Sequence, residues 1–397
     1  MRDGPLTAIL GEGTTLRHAA WCCLLSALAL SLLGVYAIDL GAQVDAPRTL
    51  SELSPLAARQ AIFVVAGIIA AIIVAIPRER TLRALAWPAL GVSVVLLAVL
   101  LVPWVPAWLV APRNGVRGWF NLGVVDFQPG EVARIAFVLA GAAWLRDSRH
   151  HRTIVGLLPP ALITAVPVGL IFLQPDLGMA SLFVPAMFAM LLCAGARLKH
   201  LALVVAVGLA AAPAAYPLLK PYQQQRIIGL VYQLRGDKHT ADDINYQSVT
   251  AQMLASAGQR DGYDEAKARA VVRFAELPER HNDMILSVIM ARFGFVGGLG
   301  LLALYALWLA GALITALTAR DAFGRLVCVG LATLIAVQVV VNLGMVLGML
   351  PIVGLTLPFV SYGGSSMLSV WIMTGLVFSI AMRRTARVAN AGVGTDD

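Results

Sequence analysis

The chain has 397 residues, of which 59% are hydrophobic and 13% charged, with a formal net charge of +8. So little charge over this length excludes an ordinary soluble enzyme and points to an all-α polytopic membrane protein; the apolar runs are continuous rather than alternating, which excludes a strand barrel. The positive charge is no sign of nucleic acid, because the lysines and arginines gather in short connections, and the four cysteines (Cys22, Cys23, Cys193 and Cys328) lie inside apolar runs and frame no disulfide scaffold.

About ten runs approach the roughly 20 residues that cross a bilayer. In chain order they are Ala19–Leu40, Leu56–Ile76, Leu82–Leu109, Val132–Leu145, Ile154–Leu173, Leu177–Ala196, Leu201–Leu219, Met284–Thr318, Leu326–Leu350 and Ser366–Met382. The fourth is short. The eighth is too long for one straight crossing and is expected to project or to bend at Gly294-Phe-Val-Gly-Gly-Leu-Gly300. Every second connection is basic: Arg78, Arg80 and Arg83; Arg146, Arg149 and Arg152; Arg197 and Lys199; Arg320 and Arg325; and the tail with Arg383, Arg384 and Arg387. Basic connections stay in the cytoplasm, so both termini are expected there. The large loop 220–283, between the seventh and eighth runs, then faces outward, as do 112–131, 174–176 and 351–365. Chemistry on that side has no access to cytosolic ATP and requires an activated substrate.

Four stretches carry candidate residues. In Asn114-Gly-Val-Arg-Gly-Trp-Phe120 and Phe127-Gln-Pro-Gly-Glu131, Arg117 beside aromatic rings suits an anionic head group or serves as an interfacial anchor. Glu131 and Arg134, three residues apart, either pair with each other or act on a ligand. In Gln174-Pro-Asp-Leu-Gly178, Asp176 is a turn or cap residue on local pattern, placed at the membrane face. The loop 220–283, dense in acids and bases including Asp242 and Asp243, ends in Glu276-Leu-Pro-Glu-Arg-His-Asn-Asp283 against an apolar run. Partial desolvation there raises a carboxyl pKa toward that of a general base, whereas the plainer alternative makes Asp283 a helix cap. The last stretch, from Gly348-Met-Leu-Pro-Ile-Val-Gly354 to Leu357-Pro-Phe-Val-Ser-Tyr-Gly-Gly-Ser-Ser366, is broken by Gly and Pro yet almost uncharged. Such backbone is tolerated at membrane depth when buried in protein or lining a cavity, so it reads as a re-entrant loop, 351–366, presenting Ser361, Tyr362 and Ser365.

These motifs, in this order, resemble the shape, elongation, division and sporulation family typified by RodA and FtsW, and the resemblance covers nearly the whole chain as one integral membrane domain, 1–397. It implies a peptidoglycan glycosyltransferase polymerising lipid II at the outer face of the bacterial inner membrane, with release of undecaprenyl diphosphate. It implies that Asp283 is the essential acidic residue, as general base or as ligand of a divalent cation (Mg or Mn). Arg117, with Arg134 or Arg226, would stabilise the leaving diphosphate. Glu131, Asp176, Gln247, Ser248, Glu279, His281, Ser361, Tyr362 and Ser365 are the further substrate-binding candidates. The implied partners are lipid II, membrane lipids and a class B penicillin-binding protein. The chain departs from the family pattern at Gly118, Gly130, Asn282, Arg292 and the charged segment 259–273. A lipid-precursor transporter and a non-catalytic scaffold are the competing functions; the absence of a repeat of 351–366 in the first half disfavours transport.

Overall fold

The computed structural model describes residues 12–42, 49, 52–110, 112, 115–123, 125–148, 150–235, 245–319 and 321–392. Asn114, Arg149, Asp242, Asp243 and Arg320 lie outside these. The helices are α1 (Glu12–Ala42), α2 (Pro55–Ala75), α3 (Glu79–Leu101), α4 (Pro129–Asp147), α5 (Leu158–Leu173), α6 (Leu177–Cys193), α7 (Leu198–Ala215), α8 (Pro221–Leu234), α9 (Tyr246–Ala257), α10 (Glu265–Phe274), α11 (Ile285–Thr318), α12 (Ala322–Val346) and α13 (Gly364–Gly392). A small antiparallel hairpin, β1 (Phe120–Asn121) with β2 (Asp126–Phe127), precedes α4.

Among the described residues, seven helices are long and apolar enough to cross a membrane: α1, α2, α3, α11, α12, α13 and the 155–173 segment that includes α5. Of the other expected crossings, α6 and α7 are shorter apolar helices, and α4 answers the short fourth run. Its shortness has a packing reason. Ala133, Ala136, Ala140, Gly141, Ala142 and Ala143 are all buried, so α4 is surrounded by protein and needs no apolar face toward lipid. By contrast α2 exposes Ile62, Val65, Ile69, Ile72 and Ile73, a face that water would penalise and hydrocarbon would not.

Local chemistry sets the helix starts. Ser54 Oγ accepts from Ala57 N at 3.3 Å with Pro55 opening α2, and Asp321 caps α12 through Phe323 N at 2.8 Å. The expected bend in the eighth run is a break at one residue, Gly294, with φ 64° and ψ −163°. The charged segment docks into this break: Phe295 N donates to Gln259 O (2.8 Å), Val296 N to Arg260 O (3.1 Å), and Tyr263 N to Ala291 O (3.0 Å). Arg292 belongs to the same joint, its Nε donating to Tyr36 Oη and its Nη1 to Tyr263 O, both at 3.0 Å.

A Cβ on Gly294 would sit 2.3 Å from Arg260 O, in a left-handed conformation that side chains disfavour. Gly294→Ala is therefore expected to lower stability by about 2 kcal/mol and to speed trypsin cleavage at Arg260 and Lys267. An unchanged melting temperature and digestion rate would show that the joint tolerates a side chain.

Candidate functional site

Residues 351–363 form no regular structure, yet Leu355, Leu357, Phe359, Val360 and Ser361 are buried. Buried irregular backbone requires partners, and polar side chains set in otherwise apolar helices supply them. Gln60 Nε2 donates to Ser361 O (2.9 Å) and Gln60 Oε1 accepts from Gly363 N (3.2 Å). Gln338 Nε2 donates to Thr356 O (2.8 Å), and Tyr305 Oη donates to Pro358 O. Asn342 Nδ2 donates to both Leu355 O and Asp283 O, each at 2.8 Å. Ser361 Oγ accepts from Leu357 N (2.7 Å) and donates to Asn282 O (2.6 Å), while Tyr362 N donates to His281 O (2.9 Å). The segment from Glu279 to Asp283 and the irregular segment are thus one hydrogen-bonded unit.

A cavity of about 560 Å³ opens above this unit. Asp283, Asp176, Glu131, Glu279, Gln247, Tyr362 and Ser365 all line it, as does Arg226. The sequence separates these residues by more than two hundred positions, and the fold brings them to one wall. Arg117, Arg134, Ser248, His281 and Ser361 are not among the lining residues. Arg117 is half-buried, with Nη2 on Val102 O (3.4 Å). Arg134 is fully buried beneath the cavity. It pairs with Glu131, donates from Nη1 to Gln338 Oε1 (2.6 Å) and holds Ser369 Oγ through Nε (3.3 Å) and Nη2 (3.2 Å). Ser248 accepts from Gln252 inside the α9 turn. His281 sets its ring edge-on to Tyr362, centroids 6.0 Å apart, behind the wall. Of these five, Arg134, His281 and Ser361 contact residues that line the cavity. Ser365 also has a structural duty, its hydroxyl donating to Asp126 O (2.7 Å) and accepting from Gln128 N (3.1 Å).

The two readings of Asp283 separate cleanly. The N-cap residue of α11 is Met284 and receives no side-chain capping bond. Asp283 Oδ1 is buried without a hydrogen-bond partner among the described residues. The cap reading therefore fails, and Asp283 lines the cavity with Oδ1 buried. Burial, then the neighbouring Glu279 charge, push its pKa up to about 7; its own backbone N–H and Arg226 oppose the rise. Asp176 does cap its helix, accepting from Met179 N at 2.9 Å, and still faces the cavity. Burial raises its pKa to about 6, aided by Glu131 and opposed by the Met179 N–H and Arg226. Arg226 thus acts on both carboxylates, and Arg59 is the second arginine of a lining rich in acids. Burial also lowers the pKa of His281, with the Glu279 charge opposing and Arg280 reinforcing the shift.

Sequence reasoning passed over Arg59, Phe63, Asp126, Gln223, Gln338 and Thr356, all of which line the cavity. A signal existed for Gln60 and Gln338: each is an amide inside an apolar run, Gln60 beside Arg59 and Gln338 four residues before Asn342, which is costly unless it has a buried partner. The departures are built in. Asn282 Nδ2 donates to the Glu279 carboxylate, and at Gly130 an added Cβ would press on Met179 at 3.3 Å.

This architecture defines a polytopic helical membrane protein with a cavity lined by acidic residues. A family model described as a cell cycle protein, that of FtsW, RodA and SpoVE, matches residues 17–386. The chain belongs to that family. It is 32% identical to "Probable peptidoglycan glycosyltransferase FtsW" of Thioalkalivibrio sulfidiphilus over 90% of this chain and 88% of that one. It is 29% identical to "Stage V sporulation protein E" of Bacillus subtilis, over 82% and 86%. Among solved structures it superimposes on a chain from "Structural coordination of polymerization and crosslinking by a peptidoglycan synthase complex" with TM-score 0.76 and 32% identity, covering 92% of this chain and 98% of that one. For the Rod shape determining protein RodA of Thermus thermophilus the TM-score is 0.66 and the identity 31%, covering 92% and 97%.

Proposed function

We propose that the chain is a peptidoglycan glycosyltransferase and that the cavity is where lipid II is polymerised. The observation that carries the assignment of the site is the buried carboxylate of Asp283, its Oδ1 without a hydrogen-bond partner among the described residues, in a cavity that Arg226 also lines. The 4-hydroxyl of an N-acetylglucosamine attacks the anomeric carbon of the N-acetylmuramic acid on the lipid-linked strand. A new C–O bond forms, the bond from that carbon to the diphosphate breaks, and the hydroxyl proton passes to Asp283. Undecaprenyl diphosphate leaves with the electron pair. Its charge is met by Arg226, with Arg59 on the same wall; the saturated donors of Arg134 and the position of Arg117 move that role away from them.

Among the described residues no three acidic, histidine or cysteine side chains converge, so the chain alone builds no full metal cage. Asp283, as a carboxylate lining the cavity, suits one ligand position of a Mg²⁺ or Mn²⁺ whose other ligands are substrate phosphate oxygens and water. A bound cation would supply charge neutralisation at the diphosphate. The basic connections support an inner-membrane orientation with the cavity outside, where a substrate already carrying its activation energy is required. A class B penicillin-binding protein is the proposed partner, acting on the strand this cavity releases.

The test is polymerisation of lipid II by the purified full chain, alone and with its partner synthase, read as glycan length and released undecaprenyl diphosphate. No polymer from a folded sample under either condition overturns the assignment. The pH profile gives an independent check. Asp283 accepts a proton only when ionised, so kcat/KM is expected to fall by half near pH 7 and about tenfold per unit below it. A flat profile between pH 6 and 8 would remove Asp283 as the base.

A further inference from the structure

A second cavity, of about 510 Å³, lies at the opposite end of α4, between the first turns of α3 and the last turn of α4. The helix rise from Glu131 to Asp147 sets the two cavities about 24 Å apart. Arg80, Arg83 and Trp87 reach it from α3, at spacings that share one helix face; Trp144 and Asp147 reach it from α4, with His150 just beyond. Neither guanidinium makes an ion pair or side-chain hydrogen bond among the described residues, although acids are close at hand. Asp321 pairs with Arg146 at 3.1 Å. Two cations against the single carboxylate of Asp147 leave the concavity positive.

Unpaired guanidinium groups in a concave wall match phosphate oxygens, and indole rings at the same level are the side chains that settle among lipid head groups. Trp87 on the same face, and Leu85 and Val92 round the helix, are exposed, so α3 presents an apolar surface beyond the charges. We propose that this cavity binds the phosphate of an anionic phospholipid, with its acyl chains lying along α3. The site is separate from the polymerising cavity and stands on its own observations. A zwitterionic lipid carries a cation that the arginines repel, so the site selects net negative charge.

The experiment titrates the full chain, in neutral detergent, with dioleoylphosphatidylglycerol or dioleoylphosphatidylcholine and counts bound lipid by native mass spectrometry. Wild type retains phosphatidylglycerol preferentially, and Arg80→Gln and Arg83→Gln each lower its occupancy about fivefold. Arg78→Gln, at an exposed position outside the lining, leaves it unchanged. The double change Arg80→Lys with Arg83→Lys keeps the charges and retains the preference, which separates loss of the site from loss of the fold. Three results overturn the proposal: equal uptake of the two lipids by wild type, undiminished phosphatidylglycerol in the double Gln variant, or displacement of the lipid by equimolar inorganic phosphate.

Discussion

Asp283→Asn is expected to abolish polymerisation and at the same time to raise the melting temperature. The amide keeps the shape of the carboxylate but cannot take the proton of the attacking hydroxyl, and losing a general base costs about 10²- to 10⁴-fold in rate. The stability gain has the same origin. Burial lifts the folded-state pKa from 3.8 to about 7, so ionised Asp283 strains the native state above pH 7. That penalty is on the order of 4 kcal/mol as an upper bound, and Asn removes it. A raised carboxyl pKa means the folded protein binds the proton more tightly than the unfolded chain does. Wild-type stability therefore rises as pH falls from about 7 toward 3.8, and the advantage of the variant fades over that window. Thermal unfolding at pH 8 and pH 5, beside lipid II turnover at pH 8, checks both halves. An active Asn variant would end the general-base role; an inactive variant that is less stable than wild type at pH 8 would show that the carboxylate is structural. Asp283→Ala shares the loss of activity but adds a small void, so its stability gain is smaller.

This conflict between stability and chemistry explains why the unit around Asp283 is so heavily tied. A buried charge with a free lone pair is held in place by its backbone instead: Asn342 grips Asp283 O, Ser361 grips Asn282 O, and Tyr362 N grips His281 O. The side chain can then point at substrate because the main chain is fixed from three directions. Glu279 adds to the arrangement from a left-handed conformation, φ 52°, with its carboxylate held by Asn282.

Much of this was legible in the sequence, for reasons that are local. Apolar run length reveals a crossing helix because hydrocarbon leaves no other way to satisfy the backbone. The uncharged Gly- and Pro-broken stretch 351–366 reads as buried irregular backbone on the same grounds, and the expected bend in the eighth run follows from its length and glycines. Asp283 was marked by its place against an apolar run. Its competing role as a cap could be settled only by helix geometry, since one residue of offset puts Met284 at the N-cap. Arg117, Arg134 and His281 resemble ligand-binding groups in sequence, but where a long side chain ends depends on tertiary neighbours. Arg134 is drawn inward by Glu131, Gln338 and Ser369, two of them on helices far away in the chain. Arg59, a charge inside an apolar run, did carry a sign, but Gln223 gave none, because nothing in its own segment shows which helix face the cavity will occupy.

Arg134 carries the largest expected effect on folding. It is fully buried, and its partner Glu131 is 3% exposed. Arg134→Met keeps much of the side-chain volume but leaves a buried carboxylate without its cation and Gln338 Oε1 without its donor. Removing one partner of such a pair costs about 3–5 kcal/mol, far more than the pair contributes against an apolar replacement. Glu131→Gln in the same chain is expected to recover more than half of that loss, because the charge that needed compensation is gone. The exposed pair Arg260–Asp261, 3.9 Å apart, supplies the contrast: Asp261→Asn should change stability by less than about 0.5 kcal/mol. Unfolding of the two single variants and the double, in one detergent, measures the coupling. Additive losses would mean that Glu131 and Arg134 stand independently, and that the arginine is held for something other than its neighbour's charge. Strong coupling, with polymerisation by the double variant tracking its folded fraction, assigns Arg134 to the floor of the cavity rather than to its ligand. The distinction matters because the same residue type, a few ångströms nearer the cavity, would be read as a diphosphate clamp; the fold spends it on holding Glu131 still.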